Sequence, residues 1–172
     1  TQQDPGHVVA DRGLPLRGTD PDHPGTQYLF KGGFPRGKAS FTVVKYRASE
    51  ELPDDEFPFL LSTGRQLFQY HTGTMTRKVA AINAISPTAY IEMHPDDADR
   101  LGIHNDETVT VSSRRGSIDI KTLISGRPAK GMVFIPFHFR EASANVLTNT
   151  VTDPVSKIPE LKACAVRIEN KK

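Results

Sequence analysis

The side chains that could do chemistry gather in "LLSTGRQLFQYHTGTMTRK", residues 60–78. Thr63-Gly64-Arg65 places a hydroxyl, a flexible backbone and a guanidinium at the end of an apolar run. His71, Thr72, Gly73, Thr74, Met75, Thr76 and Arg77 then add hydroxyls, N–H groups beside a glycine and a second guanidinium. Hydroxyls, backbone N–H groups and arginine together suit a phosphate, because the arginine fork meets two oxygens at once. The same residue types also make a solvated polar loop in which threonines cap turns. The stretch fits neither the P-loop nor the GxGxxG pattern, so residue types alone leave both readings open.

The other candidates are sparser. The adjacent arginines of "SRRG" (Arg114, Arg115) could contact an anion, but a charged, solvated turn explains them as well. His138 lies in the apolar run "GMVFIPFHF", where a core histidine is commoner than a ligand. Asn145 in "SANVLTN" offers both donors and an acceptor to a base or pterin edge, or caps a turn. The six histidines never fall at i, i+4 spacing and no CxxC exists, which leaves no metal site to name. Cys164 sits in the apolar pattern "ACAVRI", where a thiol is usually inert. No pair of carboxylates announces acid–base work, so the residues read as a binding site without catalysis.

These groups need elements to position them. "FPFLLST", "TAYIEMH", "ETVTVSS", "GSIDIKTLIS", "GMVFIPFHF" and "ACAVRIE" read as strands, and Phe41–Tyr46 as a further one. The nearly unbroken apolar character of "GMVFIPFHF" predicts cover on both faces. "PDDADRLG" is the clearest helix, with Pro95 at the first position, acidic residues in the first turn and Gly102 as the stop. His94 takes the N-cap, where Asn, Asp or Ser would serve better. "REASANVLTN" reads as a short helix or an irregular loop. The sum is a mainly β domain with one or two short helices, a barrel or a sandwich by periodicity alone. Residues 1–50, rich in Pro, Gly and Asp at the start, read as a linker or extended arm, and residues 51–172 as the domain.

Totals bound the partners. Among 172 residues, 22 Lys and Arg against 20 Asp and Glu give a net charge of +2, which supplies no field for nucleic acid. No apolar run approaches the roughly 20 residues of a membrane span, and "TQQDPGHVVADRG" has neither the basic start nor the apolar core of a signal peptide. One cysteine excludes an internal disulfide and suits a reducing, cytoplasmic setting. The chain lacks an initiator Met and is expected to be part of something longer.

Four ordered blocks resemble one family. "FPFLLSTGRQLFQYHTGTMTRK" is similar to the start of the C-terminal, dinucleotide-binding domain of molybdopterin oxidoreductases. "IEMHPDDADRLGIHNDETVTVSSRRGSI" resembles its next block. "MVFIPFHFREASANVLTNTVTDPVSKIPELKACAVRIE" looks most like the closing segment in formate dehydrogenase catalytic subunits, and "HPGTQYLFKGGFPRGKASFTVVKY" like the lead-in.

The resemblance implies a double-psi β-barrel and a molybdopterin guanine dinucleotide ligand, two of which chelate molybdenum or tungsten in the full enzyme. It implies cofactor contacts from Thr63, Gly64, Arg65, His71 through Arg77, Phe137, His138, Asn145 and Lys162. It places the iron–sulfur clusters, metal ligand and catalytic residues in other domains of the catalytic subunit, which would be this chain's partners. A formate dehydrogenase domain is the leading expectation. A nitrate reductase or formylmethanofuran dehydrogenase domain or subunit, or a barrel that only docks proteins, are the alternatives.

Overall fold

The computed structural model describes residues 37, 38 and 40–171, so the expectations for the first 36 residues lie outside the described part. The chain divides at Tyr46/Arg47 into two units. In the described part of the first, Phe41, Val43, Val44 and Tyr46 are exposed and form no strand, contrary to the expectation for that run. Apolar side chains alone do not hold a strand when no ladder partner takes its N–H and C=O groups.

The second unit carries six strands: β1 (Phe59–Gly64), β2 (Tyr90–Met93), β3 (Thr108–Ser112), β4 (Ser117–Ile124), β5 (Met132–Pro136) and β6 (Cys164–Asn170). They close into a barrel in the order β1-β5-β2-β4-β3-β6, so none is left with a free edge. Two neighbouring pairs are parallel, β1 with β5 and β2 with β4, and the other four are antiparallel. This closed, mixed barrel is the expected double-psi β-barrel.

Alternation places Leu61, Ile91, Val109, Val111, Val133, Ile135 and Val166 inside, all essentially inaccessible. The outward side of β5 is less covered than its apolar sequence suggests. Met132 is 36% exposed and Phe134 only partly buried, because this side borders an open cavity.

Two short helices flank the strands. Helix α2 (Pro95–Leu101) follows its sequence signals, with Gly102 in the left-handed region at φ 64° donating to the carbonyls of Ala98 and Asp99. His94 caps it after all: Nδ1 accepts the Asp96 N–H at 3.1 Å, which an imidazole nitrogen can do as a carboxylate would. The buried Asp97 then accepts the Gly131 N–H at 2.7 Å and ties the helix to the turn before β5. Helix α1 (Ala80–Ile85) was not foreseen, having no side-chain cap and no buried residue to give it a pattern.

The "SRRG" arginines differ: Arg114 is exposed, Arg115 is half-buried, and both pair with carboxylates that precede β1. Glu51 accepts from both Arg114 and Arg115 and from the Ala165 N–H of β6 at 2.8 Å. Arg115 also donates to the Leu147 carbonyl at 2.7 Å, and Arg114 pairs with Asp54 and lies 4.6 Å over the Phe57 ring. Burial alone would push the Glu51 carboxyl up, but Arg115, the Ala165 N–H and Arg114 outweigh it and hold it below its usual range.

Glu51→Ala, which takes the carboxylate from the half-buried Arg115 and the acceptor from the Ala165 N–H, is expected to cost about 3 kcal/mol in urea unfolding of this chain. The carboxyl's folded-state pKa is depressed, so its stabilisation is present at neutral pH and lost as pH falls. The difference between wild type and Glu51→Gln should hold above a pH of about 5 and shrink below about 4.

Candidate functional site

Parallel pairing of β1 with β5 sets Gly64 opposite Pro136, so the loops that follow both strands leave from one end of the barrel. The Phe137 N–H donates to the Gly64 carbonyl at 3.1 Å and starts the second loop beside the first. A methyl group at Gly64 would come within 2.6 Å of the Phe134 ring, so the strand end admits no side chain there without displacing that ring. Thr63 donates its hydroxyl to the Leu161 carbonyl at 2.6 Å, and Lys162 Nζ donates to the Thr63 carbonyl at 2.5 Å. The segment before β6 therefore meets the same end of the barrel.

The first loop is an internally bonded unit. Thr76 donates to Gln69 Oε1 at 2.6 Å and accepts the Tyr70 N–H at 3.1 Å, while the Thr72 and Thr74 hydroxyls pair at 3.0 Å. Gly73 sits at φ 71°, donates to the Tyr70 carbonyl and has the Arg77 stem where a side chain would go. Its lack of a Cβ thus makes room for Arg77, and its N–H is taken by the loop itself. His71 packs edge-on against Phe137 with ring centroids 5.3 Å apart.

Arg77 reaches the second loop, where its two terminal nitrogens pair with Glu141 at 3.0 and 2.7 Å and its guanidinium lies 5.1 Å from the Phe139 ring centre. The Arg77 hydrogen bonds hold the Glu141 carboxyl below its usual range.

His138 is only 4% exposed and neither ring nitrogen has a partner. Desolvation, and then the nearby Arg77 charge, push its pKa down, so it is neutral at physiological pH. Gln69 Nε2 and Arg77 Nε are likewise buried and unpartnered. Orphan polar atoms at the junction of two loops cost roughly 1–3 kcal/mol each, and a bound polar group or water would relieve them.

Arg65 is exposed and makes no ion pair or hydrogen bond with the described residues. It lines two cavities, one of about 270 Å³ with Tyr70, His71, Thr72, Thr74 and Met75, the other of about 720 Å³. Gln66, Tyr90, Glu92 and Arg127 in the larger cavity escaped the sequence reading. Gln66 donates to Ser86 and Tyr90 at 2.8 and 2.9 Å, and the buried Glu92 accepts from Arg127 at 2.5 Å.

Apart from Arg65, which lines both cavities, the expected site residues fall into three groups. Thr63, Gly64, Phe137 and Lys162 meet at the strand ends, and His71–Arg77 with His138 form the junction beyond them. Asn145 lies farther along, exposed in the single 3-10 turn Ala144–Val146, and makes no hydrogen bond with either group. Glu141, Phe139 and Gln69 belong to the junction but carried no sequence signal, since each type is common in loops and core.

The family model described as "Molydopterin dinucleotide binding domain" matches residues 59–165, from the start of β1 into β6. The chain belongs to this family. It is 50% identical over 152 residues to the F420-dependent formate dehydrogenase subunit alpha of Methanocaldococcus jannaschii, covering 87% of this chain and 23% of that protein. It is 44% identical to the F420-dependent formate dehydrogenase 2 subunit alpha of Methanococcus maripaludis, covering 87% and 22%. A protein named nitrate reductase, from Symbiobacterium thermophilum, is 43% identical over 90% of this chain and 21% of its own length. The chain thus spans less than a quarter of these relatives. The solved structure of acetylene hydratase from Pelobacter acetylenicus shares the fold, with a TM-score of 0.63 at 16% identity over 73% of this chain and 21% of that one. Among the described residues no helix is long and apolar enough to cross a membrane.

The one cysteine stands apart from this chemistry. Burial pushes the Cys164 thiol up to about 11, so at pH 8 it stays protonated and enclosed. Iodoacetamide at pH 8 should label it at least about 100-fold faster in denaturing urea than in the native chain, read by mass spectrometry.

Proposed function

We propose that this molybdopterin dinucleotide-binding domain holds the guanine form of the cofactor, bearing molybdenum or tungsten, within a formate dehydrogenase of the alpha-subunit type. The carrying observation is the convergence at one barrel end of an arginine without a partner among the described residues and of orphan buried polar atoms. That set fits a ligand with a pyrophosphate and a polar ring system. Relatives with up to 50% identity named as formate dehydrogenase subunits supply the reaction.

Bound there, the group would supply two-electron redox chemistry through its metal, and this chain's residues would bind and orient it. Arg65 would face the pyrophosphate, its fork meeting two oxygens. The neutral His138 would offer one ring donor and one acceptor to the cofactor's polar edge. Lys162 would bring positive charge to the end of β1, and Phe137 and His71 would form an edge that excludes water. Asn145 would reach the ligand from the second loop. Formate would be handled by groups supplied from the other domains, with iron–sulfur clusters there taking the electrons.

The relative named nitrate reductase makes reduction of nitrate the second reading. Formate-dependent dye reduction and nitrate-dependent dye oxidation by the purified intact protein separate the two.

Arg65→Ala in the intact protein is expected to weaken cofactor retention by about 2 kcal/mol, roughly thirtyfold in affinity, and more visibly at low salt. The measurement is guanine nucleotide released per protein after acid treatment. Normal content in the variant would remove Arg65 from the site.

A further inference from the structure

We infer that Glu141 is a positioning residue, and that its ion pair with Arg77 is the latch that sets the two binding loops in place before the cofactor arrives. The inference rests on the dinucleotide reading only for what the loops are positioned to hold.

Three observations carry it. First, the Arg77–Glu141 pair is the only hydrogen-bonded tie between residues 65–79 and residues 137–149 among the described residues. Second, Arg77 is built into this position from every side. Its stem fills the space beside Gly73, its guanidinium faces Phe139, and its backbone N–H donates to the Gly73 carbonyl at 2.9 Å. Third, the geometry is the paired fork in which two parallel bonds fix direction as well as distance.

The arrangement divides labour between the two arginines. A phosphate that took the Arg77 terminal nitrogens would have to evict Glu141 and leave its carboxylate beside an anion, a like-charge contact. Arg65 has no such competitor and stands exposed between two cavities. The ligand's charge therefore goes to Arg65, and Arg77 acts through the loop it holds. His138 packs against Phe139, the ring that the Arg77 guanidinium faces, with ring centroids 3.9 Å apart.

The test uses the intact protein with Glu141→Gln, Arg77→Glu and the charge-swapped pair Arg77→Glu/Glu141→Arg. Amide hydrogen exchange over residues 69–77 and 137–142 is read alongside guanine nucleotide released per protein. Glu141→Gln is expected to speed exchange in both segments about tenfold and to lower nucleotide content severalfold. Arg77→Glu should do more, and the swapped pair should restore both readouts towards wild type.

Exchange within twofold of wild type in Glu141→Gln would overturn the latch. So would a loss of nucleotide without faster exchange, which would make Glu141 a ligand contact, or failure of the swapped pair to restore protection. Wild-type protein with no guanine nucleotide would overturn the cofactor reading itself, while the exchange data would still decide the latch.

Discussion

Two strands that run in the same direction side by side must deliver their following loops to the same place. In this barrel β1 and β5 are such a pair, with Thr63 opposite Ile135 and Gly64 opposite Pro136. The constraint is geometric and needs no particular loop sequence. It carries Arg65 to Arg77 and Phe137 to Asn145, far apart in sequence, out of one barrel end. A purely antiparallel neighbour would have sent the second loop to the opposite end. The inside of the barrel supports this through a continuous apolar core from Phe59 and Leu61 to Val166, which keeps both strand ends fixed relative to each other.

Polar satisfaction varies across the domain. Where the barrel is structural, buried polar groups are matched: Thr122 donates to the His104 carbonyl, Asp97 accepts from Gly131, and Asn149 donates to Glu160 and the Ala163 carbonyl. Buried atoms without partners are both nitrogens of His138, one of Gln69 and one of Arg77 at the loop junction, with Gln66 Oε1, Asn83 Oδ1 and Arg167 Nε elsewhere. A stable domain tolerates such gaps where a function requires them.

Much of this was legible in the sequence, for reasons that differ by element. Alternation located β3 and β4, and short apolar runs bounded by turn residues located the other strands, because each has a face on the core. Pro95, Gly102 and the acidic first turn located α2 because caps act locally. The His94 cap succeeded because an imidazole nitrogen substitutes for a carboxylate oxygen, which a ranking of residue types undervalues. Long-range contacts were hidden. Nothing beside Arg114 and Arg115 reveals that Glu51, more than 60 positions earlier, holds them. Nor does Glu141 in "REASAN" announce that it meets Arg77. Gly73 was visible as an unusual residue, but its reason, space for the Arg77 stem, is a tertiary fact. Cover on both faces of β5 failed as an expectation because an apolar run does not distinguish a buried face from one bordering a cavity.

The closing strand has a consequence for the order of events in the cell. β6 lies between β1 and β3 and pairs with both, and its Ala165 N–H also reaches Glu51. Until Cys164–Asn170 has emerged from the ribosome, β1 and β3 each lack a neighbour and the barrel is an open, curled sheet with two raw edges. Lys162, two residues before that strand, takes its place at the Thr63 carbonyl only when β6 docks. Closure of this end of the barrel therefore waits for the last strand, the one farthest in sequence from β1. A chain that stops short of Cys164 leaves the end of β1 without the strand that holds Leu161 and Lys162 against Thr63.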